Sequence, residues 1–260
     1  MQFGFRKCWS WAVLFLLLPG WANAFDFVLS EAEFLTWPPY CQARFSSLEP
    51  GQRQAFSRDF PKAITEQERA RIGPITFDRV HHWCAGMIWL NRARAESDQR
   101  LHDFKLSEAA NEANFTLVGL PADSPILSLV LVTVGVVCQE QHNDECASTN
   151  FNAAINARPA DPAPYSALAL LHRKHKDLNL ARDILLRGDK ATEGQSPEIK
   201  YNLGLILLEM GDIDGALEQA HLAYAGGYPL PGLKNKLKRL GRWADTTEQQ
   251  TPSQQVEKSP

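Results

Sequence analysis

Between residues 134 and 216 the chain repeats itself. Val134-Gly135, Leu168-Ala169 and Leu203-Gly204 each set a large apolar residue before a very small one, at steps of 34 and 35 residues. Twelve residues beyond each small residue stands an alanine: Ala147, Ala181 and Ala216. The reason for the small residues is steric. They sit where two antiparallel helices cross, and a larger side chain would push the pair apart. In this register Gln219, on the second helix of the third pair, points away from the crossing that Gly204 and Ala216 form.

The pattern resembles the tetratricopeptide repeat, a helix-turn-helix unit with a period of 34 residues. Pro159 falls at the end of the first repeat, Tyr165 takes the early aromatic position of the second, and Tyr201-Asn-Leu-Gly204 with the turn Gly211-Asp212 follows the family closely in the third. The second repeat departs from it: Lys176-Asp177 replaces the usual glycine turn, and Gly188 stands where alanine is common. The resemblance implies an all-α solenoid. Ile126–Val137, rich in β-branched residues, would by itself read as a buried strand. Gly135, Ala147 and Pro159 hold the repeat register around it, so a helix is expected, with packing overriding propensity.

Extending the frame outward divides the chain. Phe77–Ala93 carries a helical apolar stripe with Ala85-Gly86 in the large-then-small slot, and Asp98–Leu117 is its longer partner, a degenerate helix pair at 76–123. Three repeats follow at 124–228. Residues 25–75, broken by Pro38-Pro39, Glu49-Pro50-Gly51 and Pro61, form an N-terminal helical cap. Residues 229–243 start on proline, end on Gly-Arg-Trp243, and make a capping helix with a basic outer face. The tail at 244–260 has Val256 as its sizeable apolar residue and is expected to be disordered. Pro38-Pro-Tyr-Cys41, His81-His-Trp-Cys-Ala-Gly86, Leu90-Asn-Arg-Ala93 and Tyr228-Pro-Leu-Pro-Gly-Leu233 also resemble a group of small exported tetratricopeptide proteins of Gram-negative bacteria.

The first residues set the compartment. Arg6 and Lys7 precede the apolar run Trp11–Leu18, then Pro19-Gly20 and Ala22-Asn23-Ala24, the pattern of a cleaved signal peptide at 1–24. The run is too short to span a bilayer. Cleavage after Ala24 would leave a periplasmic or secreted chain. The full chain has 27 Lys and Arg against 30 Asp and Glu, a net charge of −3, and losing Arg6 and Lys7 makes it more acidic still. A nucleic-acid binder would carry a basic surplus or stripe instead. Past the leader stand four cysteines, Cys41, Cys84, Cys138 and Cys146, an even set that suits disulfides in an oxidising compartment. Four cysteines allow three pairings. In the repeat frame Cys138 ends one helix and Cys146 begins the next, which favours that bond and leaves Cys41 with Cys84. A staple across so short a loop is worth about 2.5 kcal/mol.

Two clusters invite chemistry. His81-His82-x-Cys84 offers imidazoles and a thiolate, but adjacent helical histidines point about 100° apart and no second metal-spaced pair accompanies them. Asp212-Ile-Asp214-Gly215 opens like a calcium loop, yet Ala216 stands where another oxygen is needed, so it reads as an interhelix turn. The chain has no nucleophile elbow, zinc-protease helix or phosphate-cradling glycine loop, so no catalysis and no cofactor are expected. The resemblance instead implies a concave face lined by Leu129, Val132 and Val136, then Ser166, Leu170 and Arg173, then Tyr201, Leu205 and Glu209, fit for an extended or helical segment. Repeats that clamp a C-terminal carboxylate use Lys, Arg and Asn there; here Asn202 alone resembles that set and Ala167 replaces another member. Two functions stay open. One is a non-catalytic adaptor binding a protein or peptide in envelope assembly. The other is a metal-binding or enzyme-associated accessory domain centred on His81, His82 and Cys84. The oxidation state of Cys84 separates them.

Overall fold

The computed structural model describes residues 28–49 and 54–243. The leader, residues 25–27 of the expected cap, Pro50-Gly51 and the tail from 244 lie outside them. Among the described residues all regular structure is helical.

Three short helices come first: α1 (Glu31–Thr36), α2 (Pro39–Ser46) and α3 (Lys62–Ile72). Ser30 caps α1 reciprocally with Glu33: the Glu33 amide donates to Ser30 Oγ and the Ser30 amide donates to Glu33 Oε2. Proline stands at the first position of α2, where its missing N–H costs nothing. Gly73, at φ 83°, turns the chain between α3 and α4 (Pro74–Arg94). A side chain there would meet nothing, so it is the left-handed backbone that calls for glycine.

Four antiparallel pairs follow: α4 with α5 (Gln99–Val118), α6 (Leu127–Glu140) with α7 (Asp144–Ala157), α8 (Pro162–Lys174) with α9 (Leu178–Ala191), and α10 (Pro197–Glu209) with α11 (Ile213–Ala225). The β-branched stretch before Cys138 is α6, as its neighbours' register demands. The expected pair at 76–123 has its first helix starting at Pro74, and its extra residues lengthen both helices to 21 and 20 residues. After the last pair, α12 (Gly232–Arg239) covers α10 and α11. It is shorter than the expected 229–243, because Gly241 at φ 65° ends the helical path and Trp243 folds back on His221 and Tyr224.

The period governs more than the crossings. At the turn inside each repeat the chain goes left-handed at His142, Lys176 and Gly211. The next residue, Asn143, Asp177 or Asp212, caps the second helix by accepting an amide hydrogen bond three residues on. His142 and Lys176 hold a conformation disfavoured by about 1 kcal/mol for a residue with a Cβ. Their neighbours' capping bonds and the packed pair over-determine it. Asp212 is thus a helix cap, bonded to the Gly215 amide at 2.9 Å, and not the start of a calcium loop.

The crossings are as tight as the small residues imply, but for different local reasons. A Cβ on Gly86 would lie 3.2 Å from Ala109 O and 3.3 Å from the Ala113 amide, so α4 and α5 touch backbone to backbone. On Gly135 it would lie 2.5 Å from the Phe151 ring, and on Gly204 2.5 Å from Leu233 of α12. One expectation is corrected here. Gln219 is half-buried at the crossing, its Cβ 3.4 Å from where a Gly204 side chain would begin, with its Oε1 buried and without a hydrogen bond. It follows Ala216 by three residues and so shares that residue's face.

Candidate functional site

The first helices of the three repeats, α6, α8 and α10, carry the residues expected to line a concave face, and α4 precedes them in the same role. What covers that face differs along its length.

Over α4 it is filled by the chain's own N-terminal helices. Trp37, Tyr40, Cys41 and Phe45 pack with Phe77, Val80, Trp83 and Cys84 in one core. Tyr40 stacks on Trp83, and the Trp37 indole donates to Cys84 O at 3.1 Å. Burial raises the Tyr40 hydroxyl to about 12. The sulfurs of Cys41 and Cys84 are 2.02 Å apart, at disulfide distance, and fasten α2 to α4. Those of Cys138 and Cys146 are 1.99 Å apart and staple the α6–α7 turn. Arg92 ties α1 down through Glu33, at 2.7 Å, and donates to Val28 O. That Arg92 hydrogen bond, with the Ser30 bonds, holds the Glu33 carboxyl down at about 2.

This arrangement settles the histidine cluster. Cys84 faces Cys41 and is not a free thiolate. His81 is buried, and the loss of solvent, with Arg44 and His82 nearby, holds its imidazole down to about 2. His82 turns to α5, where its Nδ1 lies 2.6 Å from Glu112 Oε2 and its ring meets Phe115. Among the described residues no three His, Cys, Asp or Glu side chains gather as a metal site would require.

Over α10 the face is covered again, by α12. Tyr201 and Leu205, expected in the groove, are 7% and 8% exposed and share a core with Leu233 and Leu237. Tyr201 packs against Tyr228 at 4.4 Å. Asn202 is buried too, so it cannot present its amide to a ligand. Ser166, expected beside them, is also buried. The groove residues Tyr201, Leu205 and Ser166 are corrected to interior positions. For the first two the reason is that α12, the helix after the last repeat, packs on α10.

Between the two covers the face is open. Leu129 and Leu170 are 37% and 36% exposed, and Val132 and Val136 are half-buried beside them. A pocket of about 480 Å³ lies here, lined by Arg94, Val136, Ala167, Leu170 and Lys174 among others. Arg173 and Glu209 close the far side as an ion pair between α8 and α10, Arg173 Nε to Glu209 Oε1 at 2.9 Å. That contact, helped by Lys236 and Lys176, lowers the Glu209 carboxyl. Of the nine expected groove residues, Val136 and Leu170 line this pocket, Leu170, Arg173 and Glu209 line a second one beside it, and Leu129 and Val132 lie earlier on α6, outside both.

Sequence reasoning expected a cap at each end but not which groove residues the caps bury, and it missed some of the supports. Phe151, Leu185 and Ala220 recur at the same 34- and 35-residue steps and are all fully buried, as the period itself could have revealed. The buried bond from the Trp83 indole to Thr133 Oγ1, at 2.8 Å, joins α4 to α6 and left no sequence signal.

No helix among the described residues is long and apolar enough to cross a membrane. No protein-family model matches the chain, and no curated protein matches it. Solved structures similar to it include a mutant of MamA, 15% identical over 63% of this chain and 88% of that one, with a TM-score of 0.39. Another is TTC0263, a thermophilic TPR protein of Thermus thermophilus, 16% identical over 67% of this chain and 97% of that one, with a TM-score of 0.40. The assignment of tetratricopeptide-like helix pairs rests on the chain's own crossings and turns, which keep the period in three dimensions.

Proposed function

We propose that this chain is an exported, non-catalytic scaffold that binds a protein or peptide segment in the trough over α6 and α8, as an adaptor in envelope assembly. One observation carries the reading: the concave face is sealed at both ends by the chain's own helices and left open, with leucines exposed, in the middle. Exposed aliphatic side chains on a concave, rigid floor are what a partner's apolar anchors need. The leader pattern and two cysteine pairs at disulfide distance support export into an oxidising compartment.

A photo-crosslinking residue in place of Leu170 tests the trough, against the same residue at Leu186 of α9, which is also exposed. Adducts in the native envelope should form from position 170 and not from 186. Equal labelling at both, or none at 170, sinks the reading. N-terminal sequencing of the exported protein should begin at Phe25; a chain retaining its first 24 residues would count against export with cleavage.

A further inference from the structure

We infer that the segment held in this trough is acidic, with apolar side chains between its carboxylates; the inference rests on the trough being the binding site. Two pockets meet at Leu170 and Lys174. The larger has Val136, Ala167 and Leu170 as its aliphatic floor, with Arg94, Gln139, Glu140, His142 and Lys174 around them. The smaller, about 270 Å³, is lined by Leu170, Arg173, Lys174, Lys176 and Glu209.

The charges at this rim do not cancel. Its acids are already engaged: Glu140 with Arg94 at 2.9 Å, Glu209 with Arg173, and Asp144 with His175 Nε2 at 2.7 Å and Lys174 Nζ at 3.9 Å. Lys176 stands exposed in the α8–α9 turn, and Lys236 of α12 is near enough to lower Glu209 as well. With Asp177, which follows Lys176 and lies 3.9 Å from His172 Nδ1, five cations face four carboxylates, on a chain whose net charge is −3.

Cations in a helix's last turn also offset its dipole, and Arg94, Arg173, Lys174 and Lys236 all occupy last turns. What the fold adds is convergence. The ion pairs Arg94–Glu140 and Arg173–Glu209 join the ends of successive first helices, so these helices run the same way and their last turns line one edge. Charge from separate helices then adds at a single lip above an apolar floor. A partner with carboxylates and leucine-like side chains would meet both, its charge drawn to the lip and its apolar groups to Leu129 and Leu170. The lining carries a single ring, the His142 imidazole, and no Phe, Tyr or Trp on which successive bases could stack, which favours a protein segment over a nucleic acid.

The test uses the mature protein with its cysteine pairs oxidised and fluorescence anisotropy. The probes are three labelled peptides of equal length, built of Glu and Leu, Gln and Leu, or Lys and Leu, with labelled oligothymidylate as a fourth. At low salt the Glu peptide should bind about tenfold tighter than the Gln peptide, an advantage that shrinks at high salt. Lys174→Glu with Lys176→Glu should erase the advantage, while Leu170→Ser weakens all three peptides alike. If the Gln peptide binds as well as the Glu peptide and Leu170→Ser weakens both, the acidic preference is overturned and the trough stands. If oligothymidylate binds tighter than the Glu peptide, the partner class is wrong. Peptide binding that ignores Leu170→Ser, or no peptide binding at all, overturns the trough together with the inference.

Discussion

The N-terminal pair α4–α5 and the repeats α6–α11 are built on one crossing rule and put to opposite uses. Both place a glycine or alanine where the helices meet. In the first pair the concave face is consumed: α2 lies on it, Trp37 and Tyr40 fill it, and Cys41 is fastened to Cys84. In the repeats the same face stays open until α12 closes it beyond α10. A regular solenoid thus leaves its concave side unfilled by default, and here extra chain at each end is spent on covering it. What remains uncovered is short, near Leu129 and Leu170, and is therefore where a partner can still gain by burying apolar surface.

Cutting the two staples should separate these regions most strongly. The Cys41–Cys84 pair closes a loop with a separation of 43 residues, and chain entropy assigns its loss about 4 kcal/mol. The Cys138–Cys146 pair, at a separation of 8, is worth about 2.5 kcal/mol by the same reasoning. Double Cys→Ser variants, compared by thermal midpoint without reductant, should rank in that order. A reversed ranking would mean the cap is not what the first pair depends on.

Next come the crossings. Gly86→Leu meets two backbone atoms and should cost about 3 kcal/mol, whereas Gly204→Leu meets one, the Ala216 carbonyl oxygen at 3.3 Å, together with the end of the Leu233 side chain, and should cost nearer about 2 kcal/mol. Equal losses would show that α12 is held as rigidly as a helix backbone.

A third difference is electrostatic. Among the described residues His81 is the buried histidine, and it lies in the N-terminal pair. Its folded value of about 2 lies below the ordinary 6.5, so the unfolded chain takes up the proton first. The neutral ring's contribution is whole above pH 6.5 and falls as pH drops below it, by about 1.4 kcal/mol per pH unit. Urea midpoints measured from pH 7 to 5 should fall in the wild type and fall less in His81→Gln. Parallel curves would place the acid sensitivity elsewhere, with Arg44 and His82 the first groups to examine.

The smallest effects belong to outward positions. Glu218→Leu, on the exposed side of α11, and Leu170→Ser, on the trough floor, should each change stability by no more than about 0.5 kcal/mol. Gln219→Leu exchanges a buried, unbonded amide oxygen for carbon and should be neutral or stabilising. A large loss there would mean the glutamine holds a partner across the crossing.

A 34-residue period is a local record of helix geometry. The helix pairs, their crossings at Gly135, Ala169 and Gly204, and the fate of Ile126–Val137 against its own propensity were therefore legible before any coordinates. The second repeat's departures were visible too, but without their reasons. Gly188 replaces alanine because a Cβ there would lie 2.7 Å from Cγ of Tyr165, the residue at the early aromatic position; Lys176 replaces glycine in a turn that goes left-handed regardless. Which stretches of the concave face are covered was settled only in three dimensions. Leu205 stands at the same repeat position as Leu170, one 35-residue step on, and the two differ in whether α12 or solvent lies above them. That contact is made by residues more than twenty positions away along the chain, beyond the reach of helical periodicity, which records the face a residue occupies and not what packs against it.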